Sequence, residues 1–187
     1  MDGCSLTYGQ GLDRKFSIGS QLNATLDLSR PGKSNTAMAI DLYKNINKYD
    51  TYIIGLTYPS RYTFYNNNDP IDLQPLKSKL DRLVDHPLGE FIETTYPQFY
   101  KVLWSLTNTT EMKVLSDFYI TSIINLLEQN KKQYLIYSWE PLACTNSNYF
   151  VPHIPITPVY RLEGGHLNET GMILLADTIK EKLNVKK

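Results

Sequence analysis

Apolar and polar positions along the chain alternate between the period of strands and the period of helices. Short runs rich in β-branched and aromatic residues predict strands at 24–28, 51–56 and 134–139. Apolar residues at helical spacing predict helices at about 35–47 and 111–129 and a last helix that begins near Asn168. Strands that alternate with helices are typical of a parallel sheet covered on both faces. The pattern therefore predicts a three-layer α/β/α fold with a flavodoxin-like parallel sheet.

Each predicted helix has one apolar stripe that we expect to face the core. In chain order the stripes consist of Met38, Ala39, Leu42, Tyr43 and Ile46; of Leu115, Phe118, Tyr119, Ser122, Ile123 and Leu126; and of Met172, Leu175, Ala176, Ile179 and Leu183. Ser34 and Asn168 stand where an N-cap is needed. Residues 140–165 have little periodicity and are rich in proline, which predicts a long irregular loop.

Length and charge restrict the class of protein. The 187 residues suit one domain over 1–187, and the net charge of zero gives no global field for nucleic acid or an anionic membrane. No apolar run approaches the roughly 20 residues that span a bilayer. No signal peptide is recognisable at the start, which predicts a cytoplasmic location. Oligomeric state is not readable from the sequence.

Cysteine and histidine positions give no metal motif, so no metal site is expected. Cys4 and Cys144 do not have the spacing of metal ligands, and we expect Cys4 to be a small buried neighbour of Ser5. Chemistry is suggested instead by three short segments: Gly3-Cys4-Ser5-Leu6, Gly32-Lys33-Ser34-Asn35 and Glu163-Gly164-Gly165-His166. They offer a serine, a glycine turn entering a helix, and a carboxylate three residues from a histidine. A serine nucleophile needs a neighbouring base, and that base needs an orienting acid.

In this order the three segments resemble the SGNH hydrolase superfamily, the GDSL-like esterases. Gly3-Cys4-Ser5-Leu6 is similar to the Gly-Asp-Ser-Leu motif of that family, with Cys4 in place of Asp, and its Gly-Cys-Ser start resembles phage and bacterial variants. Gly32 matches the glycine whose N–H joins the oxyanion hole. Glu163-Gly-Gly-His166 matches the Asp-x-x-His block near the C-terminus. The likeness spans nearly the whole chain but depends on a handful of positions.

This resemblance implies an ester hydrolase without a cofactor, acting on a small-molecule or carbohydrate ester such as an acetyl ester. Ser5 would attack the carbonyl, His166 would be the base, and Glu163 would orient His166. The N–H groups of Ser5 and Gly32 would stabilise the oxyanion. We expect Ser5 Oγ to lie within about 2.6–3.2 Å of His166 Nε2, or somewhat farther without ligand. His86 and His153 are rival bases without a carboxylate at that spacing.

The third block of the family, Gly-x-Asn-Asp, is altered here to Gly55-Leu56-Thr57-Tyr58. The Thr57 hydroxyl can replace the missing amide donor, although it reaches less far. Asn35 is a second candidate for that donor, and capping of its own helix is an equally open role. Arg61 either binds an anionic group of the substrate or pairs with a surface carboxylate.

The start of the chain also differs, because only Met1 and Asp2 precede Gly3. Either the native chain begins before Met1 or the sheet lacks a full first strand. Together with Thr57, this favours a second interpretation, in which a binding or structural protein retains the SGNH scaffold without catalysis. A third is a flavodoxin-like nucleotide binder that uses the Gly32 turn.

Overall fold

The computed structural model describes residues 1–59, 61–66, 69–73, 110–139, 148–155, 157–162 and 165–184. Within those residues a four-stranded, all-parallel sheet forms the centre of the molecule. Its strands are β1 (Asp2–Gly3), β2 (Thr51–Gly55), β5 (Gln133–Tyr137) and β6 (Tyr149–Phe150), side by side in that order. A separate antiparallel pair consists of β3 (Tyr62–Asn66) and β4 (Asp69–Leu73). In this part of the chain no helix combines the length and the apolar character needed to cross a membrane.

Helices connect the strands and cover both faces of the sheet. They are α1 (Ser5–Tyr8), α2 (Ile18–Gln21), α3 (Asn35–Asn45), α4 (Thr110–Gln129) and α5 (Glu169–Asn184), with a 3₁₀ turn at Arg14–Phe16. Helices α3 and α4 pack together on one face, and α2 and α5 pack together on the other. Ser34 caps α3 by accepting a hydrogen bond from the Ala37 N–H, and Asn168 caps α5 through the Gly171 N–H. Both predicted caps are therefore confirmed.

The alternation of side chains along β5 divides the core into two layers. Tyr134 and Ile136 join the cluster under α3 and α4, while Leu135 and Tyr137 join the cluster under α5. All four side chains are at most 4% exposed, which is expected for a central parallel strand covered on both faces. The predicted three-layer α/β/α architecture with a flavodoxin-like parallel sheet is confirmed.

The strand predicted at 24–28 does not form a regular strand. Three backbone hydrogen bonds do tie this segment to β1: Met1 N to Leu26 O, Leu28 N to Met1 O, and Arg30 N to Gly3 O. Side chains occupy the neighbouring backbone groups, because Lys33 donates to the Leu28 carbonyl and the Asp27 carboxylate accepts from the Ser29 N–H. These side-chain contacts compete with a continuous ladder.

Three short strands lie where the sequence pattern predicts none. Strands β3 and β4 lie in the Tyr- and Asn-rich stretch that follows Pro59. The signal for a hairpin is present in the sequence, since only Asn67 and Asn68 separate the two strands. Strand β6 lies inside the predicted irregular loop at 140–165 and adds an edge to the sheet.

The buried faces of the helices agree with the predicted stripes for α5 and only in part for the other two. In α4 the buried residues are Met112, Ser116, Ile120, Ile123, Ile124 and Leu127, whereas Phe118, predicted to be buried, is 63% exposed. The buried Ser116 interrupts the apolar stripe, which is why the sequence pattern indicated a different face. In α3, Tyr43 is 73% exposed, and the adjacent Leu42 faces the core.

Candidate active site

The carboxyl ends of three strands finish in one row, and this row positions the predicted nucleophile. Gly3 of β1 is in register with Gly55 of β2, which is in register with Tyr137 of β5. Two residues beyond this row stand Ser5, Thr57 and Trp139, one on each strand connection. Neighbouring strands are about 4.8 Å apart, so these three residues share one edge of the sheet. In parallel α/β sheets this edge is where ligands bind.

Two glycines in the row make room for a hydrogen bond beneath Ser5. The Thr7 Oγ1 and Tyr137 Oη atoms are 2.7 Å apart and buried. A Cβ at residue 55 would lie 2.5 Å from Tyr137 Oη and would also overlap Thr7, and a Cβ at residue 3 would collide with Thr7. Burial raises the pKa of Tyr137, so its hydroxyl stays protonated and keeps this bond. The Thr7–Tyr137 bond fixes α1, which begins with Ser5, against β5.

The Gly32 turn is held beside β1 by a backbone bond and an ion pair. The Arg30 N–H donates to the Gly3 carbonyl over 3.1 Å, and the Lys33 ammonium binds the carboxylates of Asp2 and Asp41. Gly32 has a φ of 78°, a left-handed conformation that other residues rarely adopt. These contacts place Gly32 next to the segment that carries Ser5. Among the described residues, the N–H of Gly32 forms no backbone hydrogen bond.

Asn35 clamps the backbone of Thr57. Its Oδ1 accepts from the Thr57 N–H at 2.9 Å, and its Nδ2 donates to the Thr57 carbonyl at 3.0 Å and to Ser116 Oγ at 2.9 Å. Both amide hydrogens are therefore occupied, so Asn35 could stabilise an oxyanion only by breaking one of these bonds. It does not cap its own helix either, because Ser34 does. Asn35 is a positioning residue for Thr57.

Thr57 has a hydroxyl that is available as a donor. The residue is 8% exposed, and among the described residues Thr57 Oγ1 has no hydrogen-bond partner. A buried hydroxyl without a partner is costly, and such an atom at a sheet edge is suited to a ligand. The free hydroxyl of Thr57 is therefore compatible with its expected role as an oxyanion donor. The amide hydrogens of Asn35, the rival donor, are already engaged.

The segment after Ser5 packs against the segment around His166. Gly9 lies against Met172, and Gly11 lies against Leu162: a Cβ at these glycines would be 3.3 Å and 3.0 Å from the respective side chains. The segment that follows Ser5 is therefore in contact with residues on both sides of His166 in the sequence. Ser5 itself is 2% exposed, and no hydrogen bond joins Ser5 to His166 in the described part of the chain. Their pairing stays a prediction.

His166 lies in a cationic environment. It is half-buried, and burial, together with the charges of Arg61 and Arg161, lowers its pKa below the usual 6.5. The neutral imidazole, which is the form that a general base requires, is therefore favoured at neutral pH. Its backbone carbonyl accepts from the Leu162 N–H over 2.7 Å, which closes the turn before α5. Glu163, the predicted orienting acid, and His86 lie outside the described residues.

Within the described residues, Arg61 forms none of the surface ion pairs that the sequence left open. Its Nη1 atom is buried, and in the described part of the chain it has no hydrogen-bond partner. Its guanidinium lies 5.9 Å from the centre of the Tyr58 ring. Its positive charge contributes to the lowered pKa of His166.

Two residues that sequence reasoning missed, Trp139 and Arg161, complete this edge. The Arg161 guanidinium lies 5.2 Å from the centre of the Trp139 ring, within the range of a cation–π contact. Arg161 Nη1 donates to the Gly165 carbonyl over 2.6 Å, while Arg161 Nε and Trp139 Nε1 are buried without a partner among the described residues. Their positions offered a signal: Trp139 closely follows a strand, and Arg161 shortly precedes His166.

Two other features of the described residues are a buried cysteine and a cavity. Cys4 is a free thiol and 2% exposed, as predicted, and the described residues contain no cluster of potential metal ligands. A cavity of about 390 Å³ lies at the opposite, amino-terminal edge of the sheet, between Met1, Tyr52 and Leu183. Neither Ser5 nor His166 lines it.

Compared with known proteins, the chain matches no family model, and no curated protein is significantly similar to it in sequence. The resemblance to SGNH hydrolases therefore continues to depend on the residues named above.

Proposed function

We propose that this protein is a serine hydrolase that cleaves an acyl or acetyl ester, with a carbohydrate ester as one candidate substrate. Ser5 is the nucleophile, His166 is the general base, and Glu163 orients His166. The oxyanion is stabilised by the N–H groups of Ser5 and Gly32 and by the Thr57 hydroxyl. No cofactor takes part.

In the proposed reaction, Ser5 Oγ attacks the ester carbonyl while His166 accepts the hydroxyl proton. The tetrahedral intermediate collapses, the bond to the alkoxy oxygen breaks, and His166 protonates the leaving alcohol. Water then attacks the acyl-Ser5 carbonyl and gives a proton to His166, and this proton returns to Ser5 as the acid leaves. Overall, one ester and one water give one acid and one alcohol.

One observation carries this proposal. Ser5, Gly32 and Thr57 are fixed at one sheet edge, and the segment after Ser5 contacts residues that flank His166 in the sequence. Because Gly3 is in register with Gly55, Ser5 and Thr57 stand at equivalent positions beyond the two strands. The bond from Arg30 N to Gly3 O holds the Gly32 turn there. The Gly9–Met172 contact supports the approach of the segment that contains His166. The lowered pKa of His166 suits a base at neutral pH.

A fluorophosphonate probe tests the proposal directly, because it forms a bond from phosphorus to an activated serine oxygen and releases fluoride. We expect intact-mass analysis to give a single adduct, located on Ser5 by peptide mapping. The adduct and the hydrolysis of p-nitrophenyl acetate should both disappear in Ser5→Ala. Ser29→Ala is a matched control, since Ser29 is also buried, at 5% exposure, and bonds to Asp27 instead. Hydrolysis that survives Ser5→Ala would disprove the mechanism.

A non-catalytic protein with the same scaffold is the second candidate, and the burial of Ser5 favours it. A serine that is 2% exposed meets substrate only if the covering residues move. The altered third block, with Thr57 in place of Asn, points the same way. This candidate predicts a folded protein that neither reacts with the probe nor hydrolyses p-nitrophenyl acetate.

A further inference from the structure

We infer that the site binds a carboxylate group of its substrate between the guanidinium groups of Arg61 and Arg161, with the Trp139 indole N–H as a further donor. That the bound molecule is a substrate rests on the proposed function. The carboxylate site itself rests on the geometry of the described residues. It narrows the substrate class from esters in general to esters of molecules that carry a carboxylate.

The first step is that three buried donors lack acceptors. Arg61 Nη1, Arg161 Nε and Trp139 Nε1 are all shielded from solvent, and none has a hydrogen-bond partner in the described part of the chain. Buried polar atoms are nearly always paired, so each such atom needs an explanation. Three N–H donors with two positive charges among them would be satisfied together by one anionic acceptor.

The second step is that these donors belong to one place. Arg161 lies 5.2 Å from the Trp139 ring, so these two side chains are in contact. The Arg61 N–H donates to the Tyr58 carbonyl over 3.2 Å, which closes a turn directly after Thr57 and keeps Arg61 on that strand connection. The charges of Arg61 and Arg161 also both lower the pKa of His166. Trp139 and Thr57 follow neighbouring strands at the row formed by Gly55 and Tyr137. The cationic group and the predicted oxyanion hole are thus adjacent.

The third step concerns the shape of the anion. Arg161 is held in orientation by the Trp139 ring and by its Nη1 bond to the Gly165 carbonyl. The edge that carries Nε remains available. A guanidinium edge presents two parallel N–H groups that match the two oxygens of a planar carboxylate. Among the described residues, no carboxylate forms an ion pair with Arg61 or Arg161.

Binding can be tested without any catalysis. The chain has two tryptophans, so two indole N–H signals are expected in a ¹H–¹⁵N NMR spectrum, and Trp139→Phe assigns them. We expect 4-hydroxybenzoate to shift the Trp139 signal saturably, and the neutral 4-hydroxybenzamide to leave it in place. Arg61→Gln combined with Arg161→Gln should abolish the shift. Lys48→Gln combined with Lys180→Gln is the charge-matched control, because both lysines are exposed.

Catalysis provides the second readout. We expect kcat/KM for 4-acetoxybenzoate to exceed that for its methyl ester by about tenfold or more, since a hydrogen bond to a charged group contributes at least that much. The ratio should approach one in the double arginine variant and stay high in the double lysine control. The ratio is measured at pH 8, so that His166 is neutral in every variant.

The outcomes separate the two proposals. A saturable Trp139 shift without hydrolysis of either ester would retain the carboxylate site and disprove the hydrolase. Hydrolysis of both esters at equal rates, with no Trp139 shift, would retain the hydrolase and overturn the carboxylate site. A tighter response to sulfate or phosphate than to 4-hydroxybenzoate would overturn the carboxylate assignment in favour of a tetrahedral oxyanion.

Discussion

Asn35 binds both backbone polar groups of Thr57, accepting from its N–H at 2.9 Å and donating to its carbonyl at 3.0 Å. The Asn35 side chain thus gives the connection after β2 the backbone hydrogen bonds that a neighbouring strand would give it inside a sheet. Its third bond, to Ser116 Oγ, ties the same point to α4. Asn35 thereby fixes the backbone from which the Thr57 side chain projects.

The first prediction separates this positioning role from stability. Asn35→Ala leaves the N–H and carbonyl of Thr57 without partners, and each unsatisfied buried group costs about 1–3 kcal/mol. We expect a lower free energy of unfolding in urea and a kcat for p-nitrophenyl acetate reduced by about tenfold, because Thr57 loses its orientation. Ser116→Ala should lower stability and leave kcat within about twofold, since the Thr57 clamp stays. Equal kcat losses in both variants would mean that Asn35 acts only through stability.

A second prediction concerns the hydroxyl group of Thr57. Thr57→Val removes Oγ1 at nearly constant volume, so kcat should fall while the fold is retained. Thr57→Asn restores the amide that the third block of SGNH hydrolases carries, and it should raise kcat if the longer side chain fits. A full oxyanion donor is worth about 10²–10³ in kcat, which bounds both effects. If neither substitution changes kcat while Ser5→Ala abolishes it, the oxyanion hole uses backbone donors alone.

Much of the scaffold could be predicted from the sequence, because local pattern and tertiary burial agree there. The apolar face of α5, from Met172 to Ile179, is buried as its periodicity predicts. The helix that contains Ser116 was placed correctly along the chain, but its buried face was not. Ser116 is polar, and only its bond to Asn35, 81 residues away, explains its burial.

The same limit applies to the candidate site. The short Gly-rich segments around Ser5, Gly32 and His166 were visible because glycine and serine have recognisable local roles. Trp139 and Arg161 were not, because an aromatic residue after a strand and an arginine in a loop are common in any α/β protein. Only their contact with each other and their unpaired donors distinguish them.

The third prediction is the protonation of His166. Burial and two nearby arginines disfavour the imidazolium, so its pKa lies below 6.5. If His166 is the base, the acidic limb of kcat/KM should therefore fall with an apparent pKa below 6.5. Arg161→Gln removes one positive charge and should move the His166 pKa upward. An NMR titration of His166 Cε1–H, assigned by its absence in His166→Gln, measures the shift. An unchanged or lower pKa in Arg161→Gln would place Arg161 away from the imidazole.

Gly55 gives the fourth prediction. A Cβ at this position would overlap Thr7 and stand 2.5 Å from Tyr137 Oη. Gly55→Ala should destabilise the protein by about 1–3 kcal/mol or more, because overpacking a dense core forces side chains out of place. Combining it with Thr7→Ala, which removes the Oγ1 atom that would lie 2.3 Å from the new Cβ, should recover part of that loss. The measurement is the free energy of unfolding of the two single variants and the double variant. Purely additive losses would show that the alanine is not in conflict with the hydroxyl.

The last prediction concerns Asp2, whose carboxylate is buried beneath the site. Lys33 and the Gly3 N–H both bind Oδ1, whereas Oδ2 is buried without a partner among the described residues. Burial of this half-satisfied charge outweighs the attraction of Lys33 and raises the pKa of Asp2 from 3.8 to about 6. The folded protein therefore binds a proton more tightly at Asp2 than the unfolded chain does.

The sign of the pH effect follows from this difference in proton binding. The contribution of Asp2 is fully present below about pH 3.8 and is lost as the pH rises to about 6. The free energy of unfolding of the parent, minus that of Asp2→Asn, should decrease by about 2–3 kcal/mol between pH 4 and pH 7, because one pKa unit corresponds to 1.36 kcal/mol. Urea titrations across that range measure it. A difference that instead grows with pH would mean that the ion pair with Lys33 prevails over burial and that the pKa of Asp2 lies below 3.8.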